Sequence, residues 1–118
     1  FTGERKMGFT ILYADRVHAI SADEVAREII RVTDGTKAYL TFDIDCLDPA
    51  FAPGTGTPVC GGLSTQQAQA ILRGLRGIDF VAMDLVEVAT PYDVSQITAL
   101  AGAHLALDYL CLRALRKG

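Results

Sequence analysis

Three carboxylates follow an apolar run near the middle of the chain. Residues 39–42 read Tyr-Leu-Thr-Phe, and Asp43, Asp45 and Asp48 come directly after them. Such a run is typical of a buried strand. Carboxylates at the end of a core strand are costly unless a positive group compensates them, and a metal ion is the simplest such group. The pattern therefore indicates a metal site at this strand end.

The spacing of Asp43 and Asp45 would let both bind the same ion or ion pair. Side chains two residues apart in a strand share a face, about 7 Å apart along the backbone. Oxygen donors favour Mn²⁺ or Mg²⁺ over zinc or copper. A solvated turn or loop cap fits the same spacing, and the spacing alone leaves both interpretations open. Asp48, which precedes Pro49, is interpreted as a turn-former.

A further carboxylate belongs to a later strand. Glu87 comes shortly after the apolar residues 80–83. In an open parallel sheet, sites form where the carboxyl ends of strands meet. Glu87 is therefore expected beside Asp43 and Asp45, as a metal ligand or as the partner of a cationic substrate group. Asp84 is interpreted as a structural hydrogen bonder.

The segments that position these side chains predict an α/β fold with a parallel sheet. Strand, helix and strand within about 35 residues are typical of a βαβ unit. Ser21 with Glu24, and Ser64 with Gln67, form capping-box patterns at helix starts. The predicted elements are a connection at residues 1–8, strands at 9–14, 37–45 and 78–88, helices at 21–34, 64–76 and 95–116, and loops at 15–20 and 46–63.

Histidines offer weaker candidates. His18 lies in the predicted loop 15–20 and is interpreted as a solvated or loop-bonding side chain. His104 and Asp108 are four residues apart on the last helix, within an apolar face that includes Leu100, Leu107 and Leu115. We expect them to form a buried hydrogen bond that satisfies both groups.

Composition narrows the classes of protein. The chain has 118 residues, half of them apolar, and a net charge of −3. This predicts one domain, and the lack of a basic run speaks against nucleic acid. No apolar run reaches transmembrane length, which predicts no membrane association. The three cysteines follow no zinc or redox spacing, which favours reduced thiols in a cytoplasmic protein. The few strands suggest that residues 1–118 are the C-terminal part of a larger domain.

The central stretch closely resembles the ureohydrolase family, which includes arginases and agmatinases. The resemblance rests on Phe-Asp-Ile-Asp-Cys-Leu-Asp-Pro at residues 42–49, the continuation Ala-Phe-Ala-Pro-Gly-Thr-Gly-Thr-Pro at 50–58 and Gly-Gly-Leu at 61–63. Met-Asp-Leu-Val-Glu-Val at 83–88, Pro-Tyr-Asp at 91–93 and Ile-Thr-Ala at 97–99 follow in the family's order. The resemblance covers the chain from about residue 9 and is greatest to the agmatinase members.

The resemblance implies a three-layer α/β/α fold and a binuclear manganese centre that activates water. By match of motif, Asp43 would bridge the two metals, Asp45 would ligate one, and Glu87 would bind the substrate guanidinium. The implied reaction is hydrolysis of a guanidino compound, here agmatine to putrescine and urea in polyamine biosynthesis. The family also implies a homo-oligomer. No residue of this chain matches the family's proton-donating histidine.

The chain departs from the family pattern in one respect that keeps alternatives open. The Gly-Gly-Asp-His and Asp-Ala-His-x-Asp segments that carry the family's other ligands are absent from residues 1–118. The activity is therefore expected of a full-length parent, whose substrate could instead be that of a guanidinobutyrase, an arginase or a formiminoglutamase. A non-catalytic piece that serves folding or assembly is the second hypothesis. A generic Asp-x-Asp site, as in nucleotide-sugar transferases, is the third.

Overall fold

The structure, a computed structural model, describes residues 7–117, so that residues 1–6 of the predicted connection lie outside it. Two 3-10 turns, at Ile44–Cys46 and Thr90–Tyr92, follow the two strands. No helix in the described range is long and apolar enough to cross a bilayer. The regular elements are α1 (Ala14–Ala19), α2 (Ala22–Thr33), β1 (Lys37–Asp43), α3 (Thr65–Gly74), β2 (Asp79–Val86) and α4 (Ile97–Lys117).

Two helices begin at the predicted capping boxes. The Ser21 hydroxyl accepts the N–H of Glu24, and the Glu24 carboxylate accepts the N–H of Ser21 at 2.9 Å. Ser64 and Gln67 make the same reciprocal pair at the start of α3, with both bonds at 3.0 Å. Each box satisfies two backbone donors that a helix start otherwise leaves unpaired. Both predictions are confirmed.

The two strands are parallel, as predicted, and α3 connects them. Leu40 lies opposite Met83, and Asp43 lies opposite Val86. Burial alternates along β1, because one face packs on the helices while the other is open. The register brings the ends of both strands to one edge. The α/β class with a parallel sheet is confirmed.

One hydrophobic core joins the helices to this sheet. It contains Ile44 and Leu47 from the segment after β1, Leu72 from α3, Phe80 from β2 and Leu105 from α4. Ile44 and Leu105 are fully buried. The residues that flank the carboxylates are therefore part of the core, which fixes where the carboxylates emerge.

The predicted strand at residues 9–14 is wrong within the described chain. No strand forms there, and α1 begins at Ala14, the last residue of the predicted strand, and occupies most of the predicted loop 15–20. Phe9 and Tyr13 remain exposed. A strand needs a partner for its backbone hydrogen bonds, and residues 9–14 pair with neither β1 nor β2, the strands of the described sheet. The predicted βαβ unit is therefore made by β1, α3 and β2 instead.

Helix α4 begins at Ile97 rather than at Ser95. Ser95 and Gln96 have φ angles of 50° and 60°, which exclude them from the helix. Asp93 caps the helix, because its carboxylate accepts the N–H groups of Thr98 and Ala99, both at 3.0 Å. Partial burial of this carboxylate opposes ionisation, but the N–H groups outweigh it and lower the pKa of Asp93. The capping residue thus lies two residues before the predicted start of the helix.

The buried face of α4 also differs from the predicted one. Leu100 and Leu107 are exposed, whereas Tyr109 is buried against Phe80 with 5.8 Å between ring centroids. Gly102 lies on the buried side, where a Cβ would come within 3.2 Å of Leu85. The buried side of the helix thus combines Gly102 with the larger Leu105 and Tyr109, and only Leu105 of these three lay on the predicted face.

The predicted His104–Asp108 bond is wrong. Asp108 accepts instead from Gln69 at 3.2 Å and from Arg73 Nε at 3.0 Å, both on α3. His104 is exposed and lines a cavity of about 330 Å³ between α3 and α4. The guanidinium of Arg73, on the neighbouring helix, gives the Asp108 carboxylate a charge-assisted hydrogen bond.

Loop 46–63 has no helix or strand after the 3-10 turn apart from one bridge between Leu47 and Leu63. Its centre is fixed at Gly54, whose N–H donates to the buried Thr98 hydroxyl at 2.8 Å. The Gly54 carbonyl accepts the N–H of Ala89 at 2.8 Å. One loop residue is thus bonded both to the segment after β2 and to the start of α4.

Gly54 should not tolerate a side chain. A Cβ at Gly54 would lie 2.8 Å from the Cα of Asp93, whereas a Cβ at Gly56 would meet nothing within 4 Å. We expect Gly54→Ala to lower the free energy of unfolding by about 2 kcal/mol, because the backbone must shift. Urea denaturation measures this, with Gly56→Ala as the matched control. Equal stability of the two variants would contradict the close packing.

Candidate metal and substrate site

The two candidate metal ligands lie at the end of β1, though not by strand alternation. Asp43 is the last residue of β1, and Asp45 lies in the 3-10 turn that follows. The Asp43 carboxylate accepts the N–H of Asp45 at 3.1 Å and so caps this turn. The predicted extension of the strand to Asp45 is wrong. The turn, rather than the pleat, sets the relation between the two side chains.

The loop supports Asp45 through a residue that sequence reasoning missed. The Thr57 hydroxyl donates to Asp45 Oδ2 at 2.9 Å. The sequence offered two candidate threonines in this loop, Thr55 and Thr57, either of which could have bonded to Asp45. In the structure Thr55 is buried and Thr57 is not. Only the fold distinguishes which one reaches the carboxylate.

Glu87 lies at the same edge of the sheet. It directly follows β2, whose last residue, Val86, is the register partner of Asp43. Its φ angle is 69°, in the left-handed region that a residue with a Cβ adopts at a cost. The structure thus places the Glu87 backbone at the edge where Asp43 ends.

Electrostatics confirm that these carboxylates affect one another. Partial burial raises the pKa of Asp43, and the negative charges of Asp45 and Glu87 raise it further. The N–H of Asp45 opposes this shift by favouring the ionised form. The ionised site is thus destabilised by its own charges, and a cation would relieve that cost.

The donor set fits a hard cation in type but is incomplete. Carboxylate oxygens suit manganese or magnesium, and Asp43 and Asp45 could supply two of them. Across residues 7–117, however, no group of three or more His, Cys, Asp or Glu side chains is arranged to hold a metal ion. The described chain therefore offers part of a metal site and not a closed one.

Two neighbouring aspartates have structural roles, as expected. Asp48 accepts the N–H groups of Ala50 at 2.9 Å and Gly61 at 2.8 Å, which lower its pKa. Asp84 accepts the hydroxyl of Tyr39 at 2.7 Å. Hydrogen bonds from the hydroxyls of Thr41 and Tyr39 lower the pKa of Asp84.

The histidine and cysteine side chains near the site have no evident chemical role. They lie outside the acidic cluster, which is formed by Asp43, Asp45 and Glu87, or have a pKa that makes them poor nucleophiles. His18 bonds the Gly61 carbonyl, as a loop-bonding histidine would. Cys46, Cys60 and Cys111 form no disulfide, as expected. Cys46 is exposed as a residue, but loss of hydration around its sulfur, with the charges of Asp43 and Asp45 adding to the effect, raises the pKa of the Cys46 thiol to about 11. A thiol with this pKa is protonated near neutral pH and is a poor nucleophile.

Known proteins with similar sequences are agmatinases. The chain is 57% identical to an agmatinase from Neisseria gonorrhoeae over 113 residues, which cover 96% of this chain and 37% of the relative. An agmatinase from Klebsiella pneumoniae is 52% identical over 115 residues, 98% of this chain and 38% of the relative. The chain thus spans a little over a third of the curated relatives that it matches.

A solved structure and a family comparison agree with this likeness. A hypothetical agmatinase from Burkholderia thailandensis superposes with a TM-score of 0.91 at 57% identity, over 93% of this chain and 35% of that one. The model of the arginase family matches residues 1–111. Fold and sequence thus agree over nearly the whole length, and the chain belongs to the arginase family.

Proposed function

We propose that this chain is the C-terminal part of a manganese-dependent amidinohydrolase that converts agmatine to putrescine and urea. The observation that carries the proposal is the placement of Asp43, Asp45 and Glu87 at one edge of a parallel sheet. Kinship with agmatinases supports the choice of reaction and substrate. A homo-oligomer in the cytoplasm is part of the same proposal.

In this proposal the two aspartates hold metal and Glu87 holds substrate. When bound, a pair of manganese ions would lower the pKa of water enough for it to attack near neutral pH. Asp43 and Asp45 would hold the ions, and Thr57 would fix the direction of the Asp45 carboxylate by its 2.9 Å bond. The chain's own contribution is therefore the placement of ligands.

Glu87 would bind the guanidinium group. A guanidinium is planar and carries N–H donors that match the two oxygens of a carboxylate. It is delocalised and a poor electrophile, so that holding its carbon in place contributes strongly to rate. The negative charges at the strand ends would also favour a cationic substrate.

Fewer observations bear on the part of the substrate beyond the guanidinium group than on the guanidinium group itself. The solved relatives include a proclavaminate amidino hydrolase from Streptomyces clavuligerus, with a TM-score of 0.91 at 32% identity over 95% of this chain and 38% of that one. Similar backbones thus accompany differently named amidinohydrolases. Guanidinobutyrase, arginase and formiminoglutamase activities are the alternatives, and a substrate panel on the full-length enzyme separates them. Faster turnover of another guanidine than of agmatine would contradict our choice.

A second candidate applies to the chain taken alone. The described residues contain no group of three metal-binding side chains suited to one ion. We therefore propose that residues 1–118 need ligands from further sequence for activity, and that without them they are a non-catalytic folding or assembly piece. The sequence preceding Phe1 in the gene tests this. Absence of both histidine-bearing segments there would contradict the enzyme proposal.

Substitution of the carboxylates should separate metal binding from substrate binding. In the full-length enzyme, Asp43→Asn should lower bound manganese well below the wild-type amount, because an amide lacks the ligand's charge. Glu87→Gln should retain manganese and lose at least about 100-fold in turnover of agmatine. Elemental analysis and a urea assay measure the two effects. Undiminished manganese in Asp43→Asn would refute the ligand assignment.

The left-handed backbone at Glu87 predicts that replacement by glycine gives a more stable protein than replacement by alanine. At φ 69°, alanine keeps the strain and glycine relieves it. We expect Glu87→Gly to be about 1 kcal/mol more stable than Glu87→Ala, with neither variant active on agmatine. Chemical denaturation compares them. Greater stability of the alanine variant would show that the left-handed conformation is not retained.

A further inference from the structure

His18 connects α1 to the end of loop 46–63. Its Nε2 lies 2.9 Å from the carbonyl oxygen of Gly61, a residue 43 positions later. A carbonyl only accepts hydrogen bonds, so the Nε2 atom must donate. The bond therefore requires the imidazole to carry a proton on Nε2.

Gln67 fixes the other side of the ring. Its Oε1 accepts the N–H of Ser64 at 3.0 Å, as part of the capping box. The amide nitrogen is thereby directed at His18 Nδ1, 3.5 Å away. This contact is long and weak, but it suits an unprotonated Nδ1. Both contacts thus fit one tautomer, the neutral ring with its proton on Nε2.

Helix α1 is short and lies at the surface. It is six residues long, buries none of them and has no side-chain cap at its N-terminus. A helix of this length is unstable without tertiary contacts. A cavity of about 330 Å³, lined on one side by Leu12 and Val17 and on the other by residues 59–63, separates α1 from the loop. The His18 bond crosses between these two poorly packed segments.

The end of loop 46–63, at Gly61 to Leu63, is hydrogen-bonded to the segment that follows Asp45. The N–H of Gly61 donates to Asp48 Oδ2 at 2.8 Å, so the residue is held on both sides. Two positions later, the N–H of Leu63 donates to the Cys46 carbonyl at 2.9 Å, and the Leu63 carbonyl accepts the N–H of Asp48 at 2.9 Å. The loop end is thus bonded to the segment that directly follows Asp45.

We propose that His18 is a positioning residue that holds loop 46–63 in place and thereby orients Asp45 for metal. It acts through Gly61 and the backbone bonds between residues 46–48 and 63, and it does not touch metal or substrate. The role in metal binding rests on the proposed function, whereas the holding of the loop rests on the contacts alone.

Amide hydrogen exchange in the metal-free, full-length protein tests the holding of the loop. In His18→Leu, which keeps bulk but donates nothing, the amides of Asp48 and Leu63 should exchange about fivefold faster. His18→Gln, whose amide nitrogen can take the place of Nε2, should restore slow exchange. If the leucine variant does not fold, His18→Asn serves instead, because its shorter amide cannot reach Gly61. His104→Leu, at the chain's other histidine, should exchange like wild type.

Manganese titration of the same proteins tests the effect on Asp45. His18→Leu should bind manganese about three- to tenfold more weakly, with the KM for agmatine changed less than twofold, and His18→Gln should recover most of this loss. The proposal would be overturned if the amides of His18→Leu exchanged at the wild-type rate. It would also be overturned if His18→Gln exchanged as fast as His18→Leu. Fast exchange with unchanged manganese affinity would overturn the link to Asp45. A wild-type protein that binds no manganese would instead refute the proposed function. The amide-exchange rates of Asp48 and Leu63 would then still test whether His18 holds the loop.

Discussion

Carboxylates at the ends of two parallel strands repel one another and lose part of their hydration, and much of this structure is arranged around that cost. Asp43 shows it most clearly, since burial and the charges of Asp45 and Glu87 raise its pKa. Ionisation of Asp43 therefore works against the folded state in the absence of a cation. Such a cost is typical of sites that bind metal or cationic ligands, and it links the fold to the proposed chemistry.

Hydrogen bonds around the cluster hold it in spite of this repulsion. The N–H of Asp45 and the hydroxyl of Thr57 each donate to one of the aspartates. Gly54 bonds the loop to both Ala89 and Thr98, and so ties the loop, the end of β2 and the start of α4 together. Strain at a single residue can persist only where the surroundings determine the backbone. These bonds provide such surroundings for Glu87.

Sequence patterns predicted the features that depend on local chemistry. The capping boxes at Ser21 and Ser64 and the turn-forming role of Asp48 follow from neighbouring residues. The parallel sheet was predicted as a class, but the strand–helix–strand unit was assigned to the wrong pair of strands. The resemblance to the ureohydrolases pointed to the family that the comparisons confirm. The assignment of Asp43, Asp45 and Glu87 to metal and substrate stays a prediction.

Features that depend on distant partners were not predictable. Residues 9–14 have a strand-like composition, but they pair with neither β1 nor β2, the strands of the described sheet. The predicted inner face of α4 was right at Ala101 and Leu105 but wrong at Leu100 and Leu107, which are exposed. Gly102 and Tyr109, predicted to face outward, instead lie against Leu85 and Phe80. Thr57 is 12 residues from Asp45 in sequence, and only the folded path of the loop brings its hydroxyl to the Asp45 carboxylate.

The most direct test of the account is a crystal structure of the full-length protein grown with manganese, with anomalous scattering recorded near the manganese edge. The account predicts two peaks at coordination distance from the carboxylates of Asp43 and Asp45, with the Glu87 carboxylate facing the guanidinium of bound substrate and not the metals. Manganese bound elsewhere, with Asp43 and Asp45 only hydrated, would contradict it.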